Sequence, residues 1–216
     1  MKFHTLFFDL DATLYSPANG LLKEINRRIQ LYMRDRMGLP EEKVSELHRA
    51  YFQRYGATLY GLISHHQVDS RDYLAFVHDL PLAEYLQSDP ALEEMLAALP
   101  QTLWVFTSAS RAYTQRVLTL LGVENHFEGI ISSEAVAHRV KPALKAYQTA
   151  MEIAGESDPR CCVMVDDRVE NLTPAAGLGM TTVLINQDHT SEKVDHQADV
   201  IYELPDVFPE LWNGGQ

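Results

Sequence analysis

Short apolar runs rich in β-branched and aromatic residues recur along the chain, and helix-length amphipathic segments separate most of them. In order, the runs are FHTLFF, QTLWVF, EGIIS, CCVMV, TTVLI and DVIY. Continuous apolar runs, rather than alternating ones, are typical of parallel strands that are buried on both faces. We therefore expect a doubly wound α/β domain with a parallel sheet.

Residues 16–88 interrupt this alternation of strands and helices. The segments LLKEINRRIQLYMRDRMG, EEKVSELHRAYFQRYG and SRDYLAFVHDL all have helical periodicity, and no convincing strand lies among them. The first strand precedes this stretch, and the sheet resumes only after residue 100. We predict a core domain made of residues 1–15 and 89–216, with residues 16–88 inserted as a helical cap.

Composition and charge narrow the classes of function. The chain has 216 residues, and no apolar stretch approaches the roughly 18 residues that span a bilayer. With no signal-peptide pattern at the start, we expect a cytoplasmic protein. The net charge of −12 argues against a nucleic-acid surface and against binding to an anionic membrane. The adjacent Cys161 and Cys162 are expected to be reduced thiols in a core strand.

Two aspartates, Asp9 and Asp11, follow the first apolar run in the sequence LFFDLDAT. The carboxyl ends of parallel strands form the ligand crevice of an open α/β sheet. If the chain stays extended, a spacing of two residues puts both side chains on the same side. A buried carboxylate is costly unless it is paired, protonated or bound to a metal. The alternative is an Asp that caps the strand before an ordinary turn.

Two further strand ends carry groups that suit an anion. Thr107 and Ser108 precede a predicted helix in WVFTSAS, where hydroxyls and free backbone N–H groups favour anion binding. Lys141 stands directly before Pro142, which suits a first helical turn. Taken separately, each has an ordinary interpretation, since the hydroxyls could cap a helix and the lysine could be solvated.

A second acidic pair, Asp166 and Asp167, ends the buried run CCVMV, with Asn171 four residues beyond. If carboxylates at neighbouring strand ends were desolvated, their mutual repulsion would be on the order of kcal/mol. A divalent cation relieves that repulsion. A site built from oxygen ligands alone, with no need for a His or Cys ligand, suits Mg²⁺.

Taken together, the four motifs resemble those of the haloacid dehalogenase-like hydrolase superfamily, which implies a Rossmann-like sheet core. By this resemblance, Asp9 is the nucleophile that forms an aspartyl-phosphate. Asp11 protonates the leaving oxygen and then deprotonates the attacking water. Both belong to the predicted catalytic set, which is Asp9, Asp11, Thr107, Ser108 and Lys141.

The resemblance also implies a magnesium site and a phosphorylated small-molecule substrate. Asp9, the backbone carbonyl of Asp11 and Asp167 would bind Mg²⁺ directly, and Asp166 would act through water, although the direct ligand within the adjacent pair is left open. Thr107 or Ser108 would hold the phosphoryl oxygens together with Lys141. Lys141 would also offset the charge around Asp9.

Three other functions compete with phosphomonoester hydrolysis. A metal-free dehalogenase is not expected to carry an acid at position 11, so Asp11 and the Asp166–Asp167 pair disfavour it. A phosphomutase would keep the same core residues and differ in what the cap presents to a sugar phosphate. Within phosphomonoester hydrolysis, a phosphatase for phosphoglycolate or sugar phosphates is the alternative to a nucleotidase. A non-catalytic binding protein is disfavoured because no motif acid is missing.

The predicted cap contains RYGATLYGLISHHQVDSRDYL, which is similar to the cap signature of the pyrimidine 5'-nucleotidase-like branch. This resemblance implies nucleoside 5'-monophosphate substrates, pyrimidine ones first. The tyrosines would offer flat faces on which a base could stack, His66 and Asp69 would meet its polar edge, and the glycines would allow close approach of the backbone. In the alternative interpretation, a helix packs Tyr55, Leu59, Leu62 and Ile63 in the core of the cap while His65 and His66 are solvated. The candidate substrate-binding residues are Tyr55, Gly56, Tyr60, Gly61, His66 and Asp69.

Overall fold

The computed structural model describes residues 2–137, 139–185 and 191–212. The chain divides into two compact units, an α/β unit formed by Met1–Ser16 with Leu86–Gln216 and a helical unit formed by Pro17–Tyr85. In the described parts of both units, no helix is both long enough and apolar enough to cross a lipid bilayer.

A six-stranded sheet, in which every paired strand is parallel to its neighbour, forms the centre of the α/β unit. The strand order is β3-β2-β1-β4-β5-β6. The chain therefore adds β2 and β3 on one side of β1 and then crosses over to add β4, β5 and β6 on the other side. The predicted doubly wound, Rossmann-like α/β class is confirmed. The strands are β1 (Thr5–Phe8), β2 (Thr102–Phe106), β3 (Gly129–Ile131), β4 (Cys162–Asp166), β5 (Thr181–Ile185) and β6 (His196–Ala198).

The central position of β1 follows from its sequence, because all four of its residues are buried. Phe8 is in register with Val105 on one side and with Val165 on the other. The three central strands therefore end at the same level. Polar residues that follow them in the chain are brought to one edge of the sheet.

The last strand differs from the sequence-based prediction. The apolar run DVIY forms no strand; instead β6 is the preceding His196–Ala198, and Ile201–Glu203 is a 3₁₀ turn. Within the described residues β6 pairs with β5 alone, and such an edge strand needs no continuous apolar run. The apolar side chain of Ile201 is buried from the turn.

Four helices make up most of the helical unit. Gly61 lies in the third of these helices and Tyr51 in the second. A Cβ added at Gly61 would lie 2.1 Å from Cγ of Tyr51, so the glycine lets the two helices approach each other closely. Elsewhere in the unit, the Tyr32 hydroxyl donates to Asp72 at 2.8 Å. The helices are α1 (Leu21–Leu31), α2 (Glu41–Tyr55), α3 (Thr58–His66) and α4 (Ser70–Val77), and a π-helical turn (Tyr32–Arg36) follows α1.

In the α/β unit, helices connect successive strands of the sheet. Three of the five described helices end at glycines in the left-handed region, Gly122 with φ 80°, Gly155 with φ 70° and Gly179 with φ 100°, where a residue without Cβ is favoured. The helices are α5 (Pro90–Ala97), α6 (Arg111–Leu121), α7 (Leu144–Ala154), α8 (Val169–Leu178) and the short α9 (Leu204–Val207).

Candidate active site

Asp9 lies one residue beyond β1, and its backbone N–H still donates to Val165 of β4 at 2.8 Å. This extension of the pairing holds Asp9 beside the end of the neighbouring strand. Lys141 Nζ donates to Asp9 Oδ1 at 2.8 Å and to Asp166 Oδ2 at 2.6 Å. All three side chains are buried. One lysine therefore joins two strand-end carboxylates that are far apart in sequence.

Protein donors surround the carboxylate of Asp166. The amide nitrogen of Asn171 donates to Oδ1 at 2.9 Å and to Oδ2 at 3.1 Å, and the backbone N–H of Arg168 donates to Oδ1 at 3.0 Å. Asn171 is itself fixed, because the Tyr147 hydroxyl donates to its backbone carbonyl at 2.5 Å. Together with Lys141, these contacts leave Asp166 little capacity to bind another group.

Asp9, Asp166 and Asp167 each offer a carboxylate oxygen, and these oxygens lie within 4.8 Å of one another. Burial raises the pKa of Asp9 to about 7 against the opposing charge of Lys141. Burial, followed by the charges of Asp166 and Asp9, raises the pKa of Asp167 to about 9. Mg²⁺ prefers oxygen ligands such as carboxylates, and a bound cation would compensate the negative charge of these crowded groups. The three residues therefore fit Mg²⁺.

The crowded carboxylates also change the pKa of Lys141. Burial by itself would lower the pKa of the ammonium group, but the charges of Asp166 and Asp9 outweigh it and raise that pKa. The lysine therefore stays charged at neutral pH and compensates part of the negative charge of the cluster.

Asp11 is separated from this cluster by a change in backbone direction. Leu14 N–H donates to the Leu10 carbonyl at 3.0 Å, and Ala12 has a φ of 63°, so the extended conformation ends after Asp9. The expectation that both motif acids lie on the same side required the chain to stay extended, and the turn that begins at Leu10 does not meet that condition. Asp11 Oδ1 instead accepts hydrogen bonds from the hydroxyls of Tyr15 at 2.5 Å and Tyr113 at 2.9 Å.

Electrostatics at Asp11 reflect competing effects. Burial raises the pKa of Asp11, while the hydrogen bonds from Tyr15 and Tyr113 act to lower it. Burial also raises the pKa of both tyrosines well above the usual value. Both hydroxyls therefore keep their protons at neutral pH and act as donors to the carboxyl group.

Three residues with hydroxyl groups follow β2, and their hydroxyls differ in their hydrogen bonds. Thr107 is buried, and its Oγ1 accepts a hydrogen bond from Ala109 N–H at 3.1 Å. Ser108 is half-buried, and its hydroxyl makes no hydrogen bond to the part of the chain that the structure describes. Ser110, which the sequence analysis did not select, is the N-cap of α6 and accepts from Tyr113 N–H at 3.3 Å.

The candidate residues of the helical unit lie on or beside α3. The hydroxyl of Tyr55 is 2.8 Å from His65 Nε2, and that of Tyr51 is 3.0 Å from His66 Nε2. The ring of Tyr51 also stacks on that of His65 with 5.4 Å between centroids. Both histidines are exposed. We call Tyr51, Tyr55, His65 and His66 the aromatic–histidine cluster.

The other candidates in this unit have local structural tasks. Asp69 caps α4 by accepting from the N–H groups of Arg71 and Asp72. Gly56 ends α2 with a φ of 79°, and Gly61 allows the close approach to Tyr51. Tyr60 is half-buried on α3. Leu59 and Leu62 are buried, as expected for a helix that packs in the core of the cap, whereas Tyr55 and Ile63 are half-buried.

Two residues that complete the surroundings of Asp11 were not identified from the sequence. Tyr15 lies four residues after Asp11, and a hydroxyl at that spacing across a turn was an available signal. Tyr113 lies 102 residues away, on α6, and only the tertiary structure brings it to Asp11.

Two curated relatives match most of the chain. Phosphate metabolism protein 8 of Saccharomyces cerevisiae is 28% identical over 212 residues, which are 90% of this chain and 64% of the yeast protein. The chain thus spans less than two thirds of that relative. A 5'-nucleotidase of Pseudomonas aeruginosa is 24% identical over 205 residues, which are 89% of this chain and 86% of that protein.

Solved structures resemble the fold over nearly its full length. The crystal structure of CbbY from Rhodobacter sphaeroides in complex with phosphate has a TM-score of 0.67 at 19% identity, and the match covers 94% of this chain and 96% of that one. The family model described as haloacid dehalogenase-like hydrolase matches residues 3–179. Because that match spans the strand-end acids and most of the chain, this protein belongs to the haloacid dehalogenase-like hydrolase family.

Proposed function

We propose that the protein hydrolyses phosphomonoesters, with Asp9 as the nucleophile. The observation that carries this proposal is the position of Asp9, which is buried at the end of β1 with a lysine and two further carboxylates beside it. An oxygen of Asp9 attacks phosphorus and forms an aspartyl-phosphate, which divides one difficult displacement into two easier ones.

Asp11 is the general acid–base in this proposal. It gives a proton to the ester oxygen as the bond from phosphorus to that oxygen breaks. It then takes a proton from the water that cleaves the aspartyl-phosphate. The raised pKa of Asp11 supports the first of these tasks, because it favours the protonated form before reaction.

Asp9, Asp167 and the backbone carbonyl of Asp11 are the proposed ligands of Mg²⁺, with Asp166 acting through water. The many protein donors around Asp166 support assigning the direct contact to Asp167. The cation would neutralise negative charge on the transferring phosphoryl group.

Lys141, Thr107 and Ser108 are the proposed partners of the phosphoryl oxygens. Lys141 limits the repulsion between an incoming anion and Asp9, which matters in a protein with a net charge of −12. The exposed part of Ser108 and the backbone at the start of α6 support binding of an anion there.

Nucleoside 5'-monophosphates, with pyrimidine nucleotides first, are the proposed substrates. The aromatic–histidine cluster supports this choice, since it offers flat rings for stacking and imidazole groups for hydrogen bonding to a base. The name of the Pseudomonas aeruginosa relative, a 5'-nucleotidase, points to the same class. Phosphoglycolate or sugar-phosphate hydrolysis and phosphomutase chemistry would use the same strand-end residues and are the competing proposals.

Release of inorganic phosphate from a panel of esters tests the proposal. We expect the wild-type protein with Mg²⁺ to prefer uridine and cytidine 5'-monophosphates over phosphoglycolate and hexose phosphates. EDTA or Asp9→Asn should abolish turnover, and Asp11→Asn should slow it about 10²–10⁴-fold. Full activity of Asp9→Asn would exclude the nucleophile. A preference for sugar phosphates would exclude only the substrate class.

A further inference from the structure

Two tyrosine hydroxyls converge on a single oxygen of Asp11. Tyr15 Oη lies 2.5 Å and Tyr113 Oη 2.9 Å from Asp11 Oδ1, and the two hydroxyl oxygens are 3.4 Å apart. Tyr15 follows Asp11 after one turn of the chain, whereas Tyr113 comes from α6. Elements from distant parts of the sequence therefore hold the same atom.

Both tyrosines are more fully buried than the aspartate that they contact. Tyr15 is 5% exposed and Tyr113 is 1% exposed, while Asp11 is only half-buried. The N-cap Ser110 fixes the first turn of α6, where Tyr113 lies. Neither ring can leave Oδ1 without disturbing the packing around it, so the pair restricts the rotation of the Asp11 carboxyl group.

We propose that Tyr15 and Tyr113 are positioning residues that reserve Oδ2 of Asp11 for the transferable proton. The proposal rests on the function assigned above, in which Asp11 is the general acid–base. Two donors occupy the accepting capacity of Oδ1, so a proton on the carboxyl group resides on the other oxygen. Both tyrosine protons stay in place throughout the reaction.

The proton inventory of the two half-reactions then involves one atom of Asp11. In the first, Asp9 bonds to phosphorus, the ester bond breaks, and the proton on Oδ2 moves to the departing oxygen. In the second, water oxygen bonds to phosphorus, the Asp9–phosphorus bond breaks, and a water proton returns to Oδ2. One water is consumed, and Asp11 regains its starting protonation state.

This assignment predicts a dependence on the leaving group that simple structural support would not produce. Phenolate is a more basic leaving group than 4-nitrophenolate and depends more on protonation as it departs. A misdirected Asp11 therefore harms phenyl phosphate hydrolysis more than 4-nitrophenyl phosphate hydrolysis. The value of kcat/KM reports this difference, because it covers the steps up to transfer of the phosphoryl group to Asp9.

The experiment compares kcat/KM for these two esters, with Mg²⁺, in wild type, Tyr15→Phe, Tyr113→Phe and the double variant. We expect about a 10-fold loss for phenyl phosphate in each single variant, within the total effect of general acid catalysis, and a clearly smaller loss for 4-nitrophenyl phosphate. Tyr202→Phe is the matched control, because the Tyr202 hydroxyl donates to the carboxylate of Asp89, the N-cap of α5, outside the site. It should leave the ratio of the two substrates as in wild type.

The same substitutions in an Asp11→Asn background complete the test. If the tyrosines act through Asp11, Tyr113→Phe should cause no further selective loss there. Equal losses for both esters, or a selective loss that persists without Asp11, would overturn the positioning role while leaving phosphatase activity established. If the wild-type protein releases no phosphate from either ester, the proposed function fails and this inference fails with it. Thermal unfolding of each variant identifies a loss due to misfolding.

Discussion

The ammonium nitrogen of Lys141 lies 2.8 Å from Oδ1 of Asp9, and both side chains are almost fully withdrawn from solvent. Burying two charges carries a desolvation penalty that their attraction offsets only when the geometry is good. Here the lysine also contacts Asp166 at 2.6 Å. Its removal would therefore leave two buried carboxylates without their shared counter-charge.

Lys141→Ala should weaken both stability and activity. Removing one partner of a buried ion pair costs about 3–5 kcal/mol in the free energy of unfolding. We also expect kcat/KM for any phosphomonoester to fall by orders of magnitude, since substrate and Asp9 would then repel each other more strongly. Urea unfolding and steady-state kinetics measure the two effects.

Lys145→Ala is the matched control for that substitution. Lys145 forms an exposed pair with Glu152 at 3.4 Å on α7, and exposed pairs contribute about 0–1 kcal/mol. It should unfold and turn over substrate as the wild type does. Wild-type kinetics in Lys141→Ala would show that this lysine has no part in the reaction.

The ends of the central strands were predictable from sequence, because buried apolar runs and the acids that follow them are local features. Asp9 follows TLFF, and Asp167 follows the strand CVMVD. The contact between Tyr113 and Asp11 was not predictable, since no local pattern encodes a hydrogen bond across 102 residues. The edge strand β6 was missed for a related reason: its sequence, HQA, carries no apolar run.

Asp166 and Asp167 should respond differently to substitution by asparagine. Asp166 accepts hydrogen bonds from Lys141, Asn171 and the backbone of Arg168, so Asp166→Asn should lower stability by the few kcal/mol typical of a broken buried charge network. Asp167→Asn should fold normally but require much more Mg²⁺ for activity. Thermal unfolding and Mg²⁺ titration of activity separate the two outcomes. If the two variants exchange these behaviours, the assignment of the direct ligand is reversed.

Stabilisation by Mg²⁺ should increase with pH. The pKa values of Asp9, about 7, and Asp167, about 9, lie above the unfolded value of about 3.9, so the cation-free native state binds more protons than the unfolded state. Its stability therefore falls as pH rises through this range. Because Mg²⁺ needs the deprotonated carboxylates, the rise in Tm on adding it should be larger at about pH 8 than at about pH 5.5. A shift in Tm that does not change with pH would contradict this.

Ala12→Gly should stabilise the fold. Ala12 has a φ of 63°, in the left-handed region that disfavours a residue with a Cβ by about 1–2 kcal/mol. The greater entropy of glycine in the unfolded chain offsets part of this gain. We therefore expect the free energy of unfolding to rise by up to about 1 kcal/mol. Ala75→Gly, on the exposed face of α4, should instead lose about 0.5–1 kcal/mol. Destabilisation of both variants by the same amount would mean that the turn at Ala12 is unstrained.

Substitutions in the aromatic–histidine cluster should affect nucleotides selectively. Tyr55 is an aromatic residue and His66 an exposed imidazole, and stacking of a base on an aromatic side chain contributes about 1–3 kcal/mol. We therefore expect Tyr55→Ala or His66→Ala to raise KM for uridine 5'-monophosphate about 10-fold, and to raise KM for 4-nitrophenyl phosphate much less. Phe52→Ala is the control, because Phe52 is an exposed aromatic residue of the same helix as Tyr55 and lies outside the cluster. Equal effects on both substrates would remove base recognition from the helical unit and leave the strand-end chemistry intact.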